Sequence, residues 1–168
     1  MGKKKKNAKN KTAKKITRAE VKRAQAAWGA GIVKIAKAHR AGKDYEAVAR
    51  KLLAELYGYG HGDVLFKPTL AAKEQFRPTL AKALSYFVAT NGECYEDKGF
   101  AIKGWTRVEF PDPQILITSE TSALAMGNYV FTKPGEQQTV EYSFGYKLDD
   151  EGALRIHLHH SSLPYDPE

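Results

Sequence analysis

The feature that most constrains this chain is a change of period. Up to about Val88 the apolar residues recur at helical spacing; from Phe100 onward they tend to alternate in twos between turn signals. Thr17-Arg18-Ala19-Glu20 has the form of a capping box, with Thr17 as N-cap and Glu20 reaching back to it. Val21, Trp28, Ile32, Ile35 and His39 then make one apolar stripe of a helix that Gly42 ends. Asp44 is placed to cap a second helix, with Tyr45, Val48, Leu52 and Leu56 on its inner side. Gly58-Tyr59-Gly60-His61-Gly62 breaks the pattern with a loop. Residues 64–66 read as a short strand, 71–76 as a brief helix, and a third helix runs to about Val88 with Pro78 in its first turn. Strands are predicted over 100–110, 114–118, 122–132, 139–148 and 153–162. Helices first and strands afterwards define an α+β fold, with N-terminal helices packed on one face of an antiparallel sheet.

The net charge of +8 belongs to one end. Residues 1–15 carry eight lysines and no acid, whereas the rest of the chain holds 19 basic and 19 acidic groups. A segment of that kind buries no apolar area and is expected to be a disordered basic tail, with residues 16–168 as a single domain. No aromatic residue interleaves the lysines to stack on bases, so nucleic acid is not an expected partner. No apolar run approaches the ~20 residues that span a bilayer, and no apolar signal segment follows the basic start. The lone Cys94 forms no internal disulfide. A cytoplasmic protein without membrane contact is expected.

Chemistry concentrates at the far end, in the stretch RIHLHHSSLPY, where three of the five histidines fall within four residues. Strict alternation in the last strand places Arg155, His157, His159 and Ser161 on one face and Ile156, Leu158, His160 and Ser162 on the other. His157 and His159 so placed would chelate Zn²⁺ given a third ligand, but His39, His61 and Cys94 offer none at ligand spacing. The other reading leaves these histidines bonded to neighbouring hydroxyls or carboxylates. Ser161 lacks the G-x-S-x-G turn of an acyl-enzyme serine. Gly58, Gly60 and Gly62 lack the preceding strand and following Lys-Ser/Thr of a phosphate loop.

The phrases LFKPTLA, FRPTLAKALSYF, KGFAIKGW, ALAMGNYVF, VEYSFGY and RIHLHHSSLPY together resemble the iota class of carbonic anhydrases. The likeness is to its small, metal-free branch of cyanobacterial and algal proteins, and it runs from about Ala26 to Tyr165. It implies the fold of the association (hub) domain of calcium/calmodulin-dependent kinase II, in the nuclear-transport-factor-2-like superfamily. There a curved antiparallel sheet wraps around helices as a cone with an interior pocket, and a homodimer forms through the sheets. It further implies reversible hydration of CO2 to bicarbonate without a metal or other cofactor.

The resemblance carries a pocket threonine, tyrosine and serine over to Thr69 in FKPTLA, Tyr86 in LSYF and Ser161 in HHSS, with Thr79 in FRPTLA competing for the first place. Strand parity then brings His159, His157 and Arg155 to the same wall, and Phe66, Phe87 and Trp105 supply an apolar lining suited to CO2. Hydroxyl donors would stabilise charge developing on the CO2 oxygens, and a histidine near its ordinary pKa of about 6.5 would carry the proton outward. Two other readings stand beside this one. The first is a non-catalytic hub-like assembly module. The second is the same enzyme with zinc or manganese on His157 and His159.

Overall fold

The computed structural model describes residues 14–167. Most of the expected basic tail, residues 1–13, lies outside that range. Lys14 and Lys15, counted with the tail above, are held to the domain. The Lys14 ammonium pairs with Glu20 at 3.1 Å and donates to the Gly152 carbonyl at 2.9 Å, while Lys15 pairs with Glu120.

The first helix, α1 (Arg18–Arg40), starts where the sequence places it. The Thr17 hydroxyl accepts from the Glu20 amide at 3.2 Å, and the Glu20 carboxylate accepts from the Thr17 amide at 2.9 Å. Two donors that the first turn leaves orphaned are thereby satisfied. Val21, Trp28, Ile32 and Ile35 are buried, but His39 is not; its imidazole lies exposed, edge-on to Tyr45. Asp44 caps α2 (Tyr45–Leu56), its carboxylate accepting from the Ala47 amide at 2.9 Å. The two helices approach so closely that a Cβ on Gly31 would lie 2.3 Å from Leu52 Cδ1, which is why glycine occupies that position.

The strands β1 (Leu65–Lys67), β2 (Arg107–Glu109), β3 (Gln114–Ser119), β4 (Ser122–Lys133), β5 (Glu136–Leu148) and β6 (Leu154–Ser162) form one sheet. Its order is β1-β6-β5-β4-β2, with β3 also on β4. Every pairing is antiparallel except β1 with β6, which run parallel, so the sheet is mixed at one edge. Between β1 and β2 lies α3 (Leu80–Val88).

Three local expectations are corrected. Residues 71–76 make turns, not a helix, because their amides find a distant acceptor: the Glu96 carboxylate receives the N–H groups of Ala72, Lys73 and Glu74 at 2.8–3.1 Å. The stretch 100–110 is a strand only over Arg107–Glu109. It begins with a 3-10 turn, Phe100–Ile102, whose Phe100 carbonyl accepts from the Trp105 indole, and Gly104 at φ +90° turns the chain before the strand. Pro78 stands before α3 and outside it; Thr79 is the N-cap, its hydroxyl accepting from the Lys82 amide.

The core lies between α1 and the concave face of the sheet, with Trp28 at its centre. Six aromatic rings, those of Phe87, Phe100, Phe110, Tyr129, Phe131 and Phe144, lie 5.4–6.4 Å from it, centroid to centroid. Burial of each side chain of this size contributes about 1.5–3 kcal/mol or more.

Candidate active site

A β-bulge in β6 decides what faces the core. Leu158 pairs with Gly145 but Ile156 with Tyr146, so His157 is an extra residue opposite one step of β5. On the C-terminal side of the bulge His159 and Ser161 point inward, 2% and 4% exposed. On the N-terminal side the inward residue is Ile156, also 2% exposed, because the extra residue reverses the parity.

Arg155 and His157 therefore do not share a wall with Ser161, contrary to the strict alternation expected from the sequence. Arg155 donates from Nε to Asp149 at 2.8 Å and from its NH1 nitrogen to the carbonyls of Ala54 and Glu55 at the end of α2. His157 Nδ1 lies 2.8 Å from the Asp63 carbonyl, and its ring fills the space a side chain at Gly58 would need, 2.4 Å from the nearest ring atom. With the two imidazoles on opposite sides of the bulge, the His157–His159 chelate does not form. Among the described residues no three His, Cys, Asp or Glu side chains group as metal ligands.

His159, Ser161, Thr69, Tyr86, Phe66 and Trp105 do line one cavity, together with Trp28, Tyr129, Phe131 and Val140. Phe87 stands behind that wall, fully buried against Trp28, Phe66 and Phe100. The space within is about 40 Å³. One water needs roughly 10–15 Å³ on that measure, so the cavity holds a few heavy atoms and excludes a nucleotide or a sugar.

Its polar groups meet at one end. The Thr69 hydroxyl donates to Ser161 Oγ at 2.9 Å. The competing Thr79 is occupied as the cap of α3. Tyr86 is 7% exposed; its ring stacks on Phe100 at 4.9 Å, and its oxygen accepts the Leu70 amide at 3.4 Å. Burial, opposed by the Leu70 amide, pushes the Tyr86 phenol up to about 12. The His159 ring stacks on Phe66, 4.7 Å apart and 8° from parallel, as their pairing in adjacent strands requires. Its Nδ1 lies 2.8 Å from the Tyr57 hydroxyl and its Nε2 3.2 Å from the Tyr129 hydroxyl. Burial, with His160 beside it, lowers its pKa to about 3, so the ring is neutral at pH 7. The expectation of a histidine carrying protons outward is corrected by this environment: both ring nitrogens meet tyrosines whose own phenols are pushed far up by burial.

Sequence reasoning missed Tyr57 and Tyr129. Tyr129 had a signal, since alternation along β4 turns Ala123, Ala125, Tyr129 and Phe131 inward together. Tyr57, one residue past α2, had none.

A curved sheet over helices with one small inward cavity defines the nuclear-transport-factor-2-like class. A putative calcium/calmodulin-dependent protein kinase II association domain from Xanthomonas campestris matches with a TM-score of 0.62 at 20% identity, over 93% of this chain and 97% of that one. An NTF-2-like protein of unknown function from Shewanella oneidensis matches at 0.53 and 13%, over 86% and 97%. Narrower likenesses go further. Residues 19–163 match the family model of metal-independent carbonic anhydrase. A metal-independent carbonic anhydrase from Nostoc sp. is 47% identical over 155 residues, 90% of this chain and 75% of that protein. The crystal structure of a cyanobacterial iota-carbonic anhydrase complexed with bicarbonate matches with a TM-score of 0.88 at 42% identity, over 93% of this chain and 97% of that one. The chain belongs to the metal-independent carbonic anhydrase family.

Proposed function

We propose that this protein catalyses the reversible hydration of CO2 to bicarbonate without a metal, in the cavity between Thr69, Tyr86 and Ser161. The observation that carries the reading is the Thr69–Ser161 hydroxyl pair, 2.9 Å apart, lining one small aromatic chamber together with Tyr86. CO2 is apolar and small, and Phe66, Trp105, Phe131 and Val140 give it a wall without competing polar groups. As oxygen adds to the carbon, negative charge develops on the CO2 oxygens. Neutral O–H donors already in place stabilise that charge without reorganising, as an oxyanion hole does.

The cavity offers donors and no base working near pH 7. Tyr86 stands near 12 and His159 near 3. The attacking species is then hydroxide from solvent, which adds to CO2 to give bicarbonate directly, or water whose proton leaves to solvent and buffer. Lys103, exposed and the one charged side chain of the lining, stands ready to draw the product anion outward.

A second copy of the chain is proposed to cover the outer face of the sheet. Leu116, Leu124 and Met126 stand there 59%, 46% and 58% exposed, side by side on β3 and β4. Leu124→Asp is expected to convert the dimer to a monomer in light scattering; a wild-type monomer at micromolar concentration removes this part of the reading.

The deciding experiment is stopped-flow CO2 hydration on chelator-treated protein with metal content measured on the same sample. Full activity in metal-stripped protein is expected. Loss on chelation, with recovery at one zinc or manganese per chain, overturns it.

A further inference from the structure

We infer that Trp28 and Tyr57, which do not belong to the hydroxyl cluster, act as positioning residues: they fix the direction of a hydrogen-bond chain through His159 that leaves the Tyr129 hydroxyl hydrogen free for the cavity. The inference rests on the reading of that cavity as the reaction site.

The direction follows from what each group can do. An indole N–H only donates, and Trp28 Nε1 donates to the Tyr57 oxygen at 3.0 Å. Tyr57 is fully buried, and the other partner of its hydroxyl is His159 Nδ1 at 2.8 Å. The Tyr57 hydrogen therefore goes to Nδ1. The reverse polarity would leave that hydrogen without an acceptor in the core, at the cost of desolvating an unpaired donor. A neutral imidazole has one donor and one acceptor, so an accepting Nδ1 places the proton on Nε2. Nε2–H then donates to the Tyr129 oxygen at 3.2 Å. Tyr129's own hydrogen is then left for the cavity, which Tyr129 lines beside Ser161. Ser161 Oγ already accepts from Thr69 at 2.9 Å. Its own hydrogen is free to meet an oxygen in the cavity. The amide of Leu70, also an obligate donor, imposes the same direction on Tyr86 from the other side. Tyr129, Ser161 and Tyr86 thus line the cavity with hydrogens left to donate, the polarity that a developing oxyanion requires.

The burial of His159 supports the chain, since a charged ring would donate from both nitrogens and reverse the bond to Tyr57.

The test reads the tautomer and the rate. In a long-range ¹H–¹⁵N spectrum of histidine-labelled protein, His159 is expected as the Nε2–H tautomer, unchanged from about pH 5 to about pH 9. Tyr57→Phe keeps the ring and removes the relay. It is expected to mix the two tautomers and to lower kcat/KM roughly ten-fold, less than the 10²–10³ expected for deleting an oxyanion donor outright. Tyr142→Phe is the control. Its hydroxyl is bonded to Gln25 at 3.0 Å in the same core but lies off the chain, and its rate is expected to be unchanged. A wild-type His159 that is Nδ1–H or charged at pH 7 overturns the inference whether or not Tyr57→Phe folds. A wild-type rate in folded Tyr57→Phe, beside large losses in Ser161→Ala and Tyr86→Phe, overturns the positioning role while leaving the site in place. Unchanged rates in all three overturn the site reading and the inference with it.

Discussion

The two halves of β6 carry similar residues and put them to opposite uses. Beyond the bulge, His159 and Ser161 enter the aromatic core, where their polar atoms are completed by Tyr57, Tyr129 and Thr69. Before it, Arg155 and His157 turn away and bond to backbone carbonyls and to Asp149. One inserted residue separates a chemical site from a structural clasp. The lesson is that a histidine's role here comes from strand parity and not from its neighbours in sequence.

The comparison breaks first on the C-terminal half. Ser161→Ala and Tyr86→Phe each remove one oxygen and little volume, and each is expected to lower kcat/KM by about 10²-fold or more, some 2.7 kcal/mol of transition-state stabilisation. The double variant should lose less than the product of the two, because both groups act on one bound species. Stopped-flow hydration with thermal melts alongside checks this; near-wild-type rates in folded variants would remove these hydroxyls from the chemistry. On the other half, Arg155→Met removes the cationic partner of the Asp149 carboxylate, whose pKa the Arg155 guanidinium and the Ala153 and Glu151 amides hold down near 2. It is expected to cost about 2 kcal/mol of stability in a urea titration while kcat/KM stays within two-fold. A collapse of activity without loss of stability would put Arg155 back at the site.

A third expectation concerns pH. His159 has its folded pKa lowered from 6.5 to about 3. Above pH 6.5 folded and unfolded forms are both neutral there, and the full stability is present. Below it the unfolded chain takes up a proton that the folded one refuses. Stability then falls by up to about 1.4 kcal/mol per pH unit until about pH 3, where the folded form is protonated too. His159→Gln is expected to flatten that slope, whereas His157→Ala leaves it unchanged; equal slopes for all three proteins would show that His159 is not the group. The smallest effect belongs to His157→Ala itself. It loses one bond to the Asp63 carbonyl, about 1 kcal/mol, with activity intact. A large fall in its hydration rate would mean that the clasp and the site are coupled across the bulge.

Much of the fold was legible because it is written locally. The Thr17–Glu20 box, the Asp44 cap and the stripe from Val21 to Ile35 are short-range patterns, and the helices stand where those patterns place them. The elements that failed depend on distant partners. Residues 71–76 have helix-compatible composition, yet Glu96 offers their amides a better acceptor than a helical turn would. The family likeness pointed to Thr69, Tyr86 and Ser161, and the fold brings all three to one cavity. His157 and Arg155 were misplaced because alternation assumes an unbroken register, and nothing in RIHLHHSS marks the inserted residue. Tyr57 was invisible for a related reason: its partner His159 lies 102 residues away.

The grip of Glu96 on three consecutive amides makes the segment beside the cavity wall a clock. Thr69 and Leu70 sit just before the amides of Ala72, Lys73 and Glu74 that this one carboxylate holds. Each release of Glu96 lends those three hydrogens to solvent together. The three amides are therefore expected to exchange for deuterium at one shared rate, the rate at which a single carboxylate lets go of the segment that follows Thr69 and Leu70.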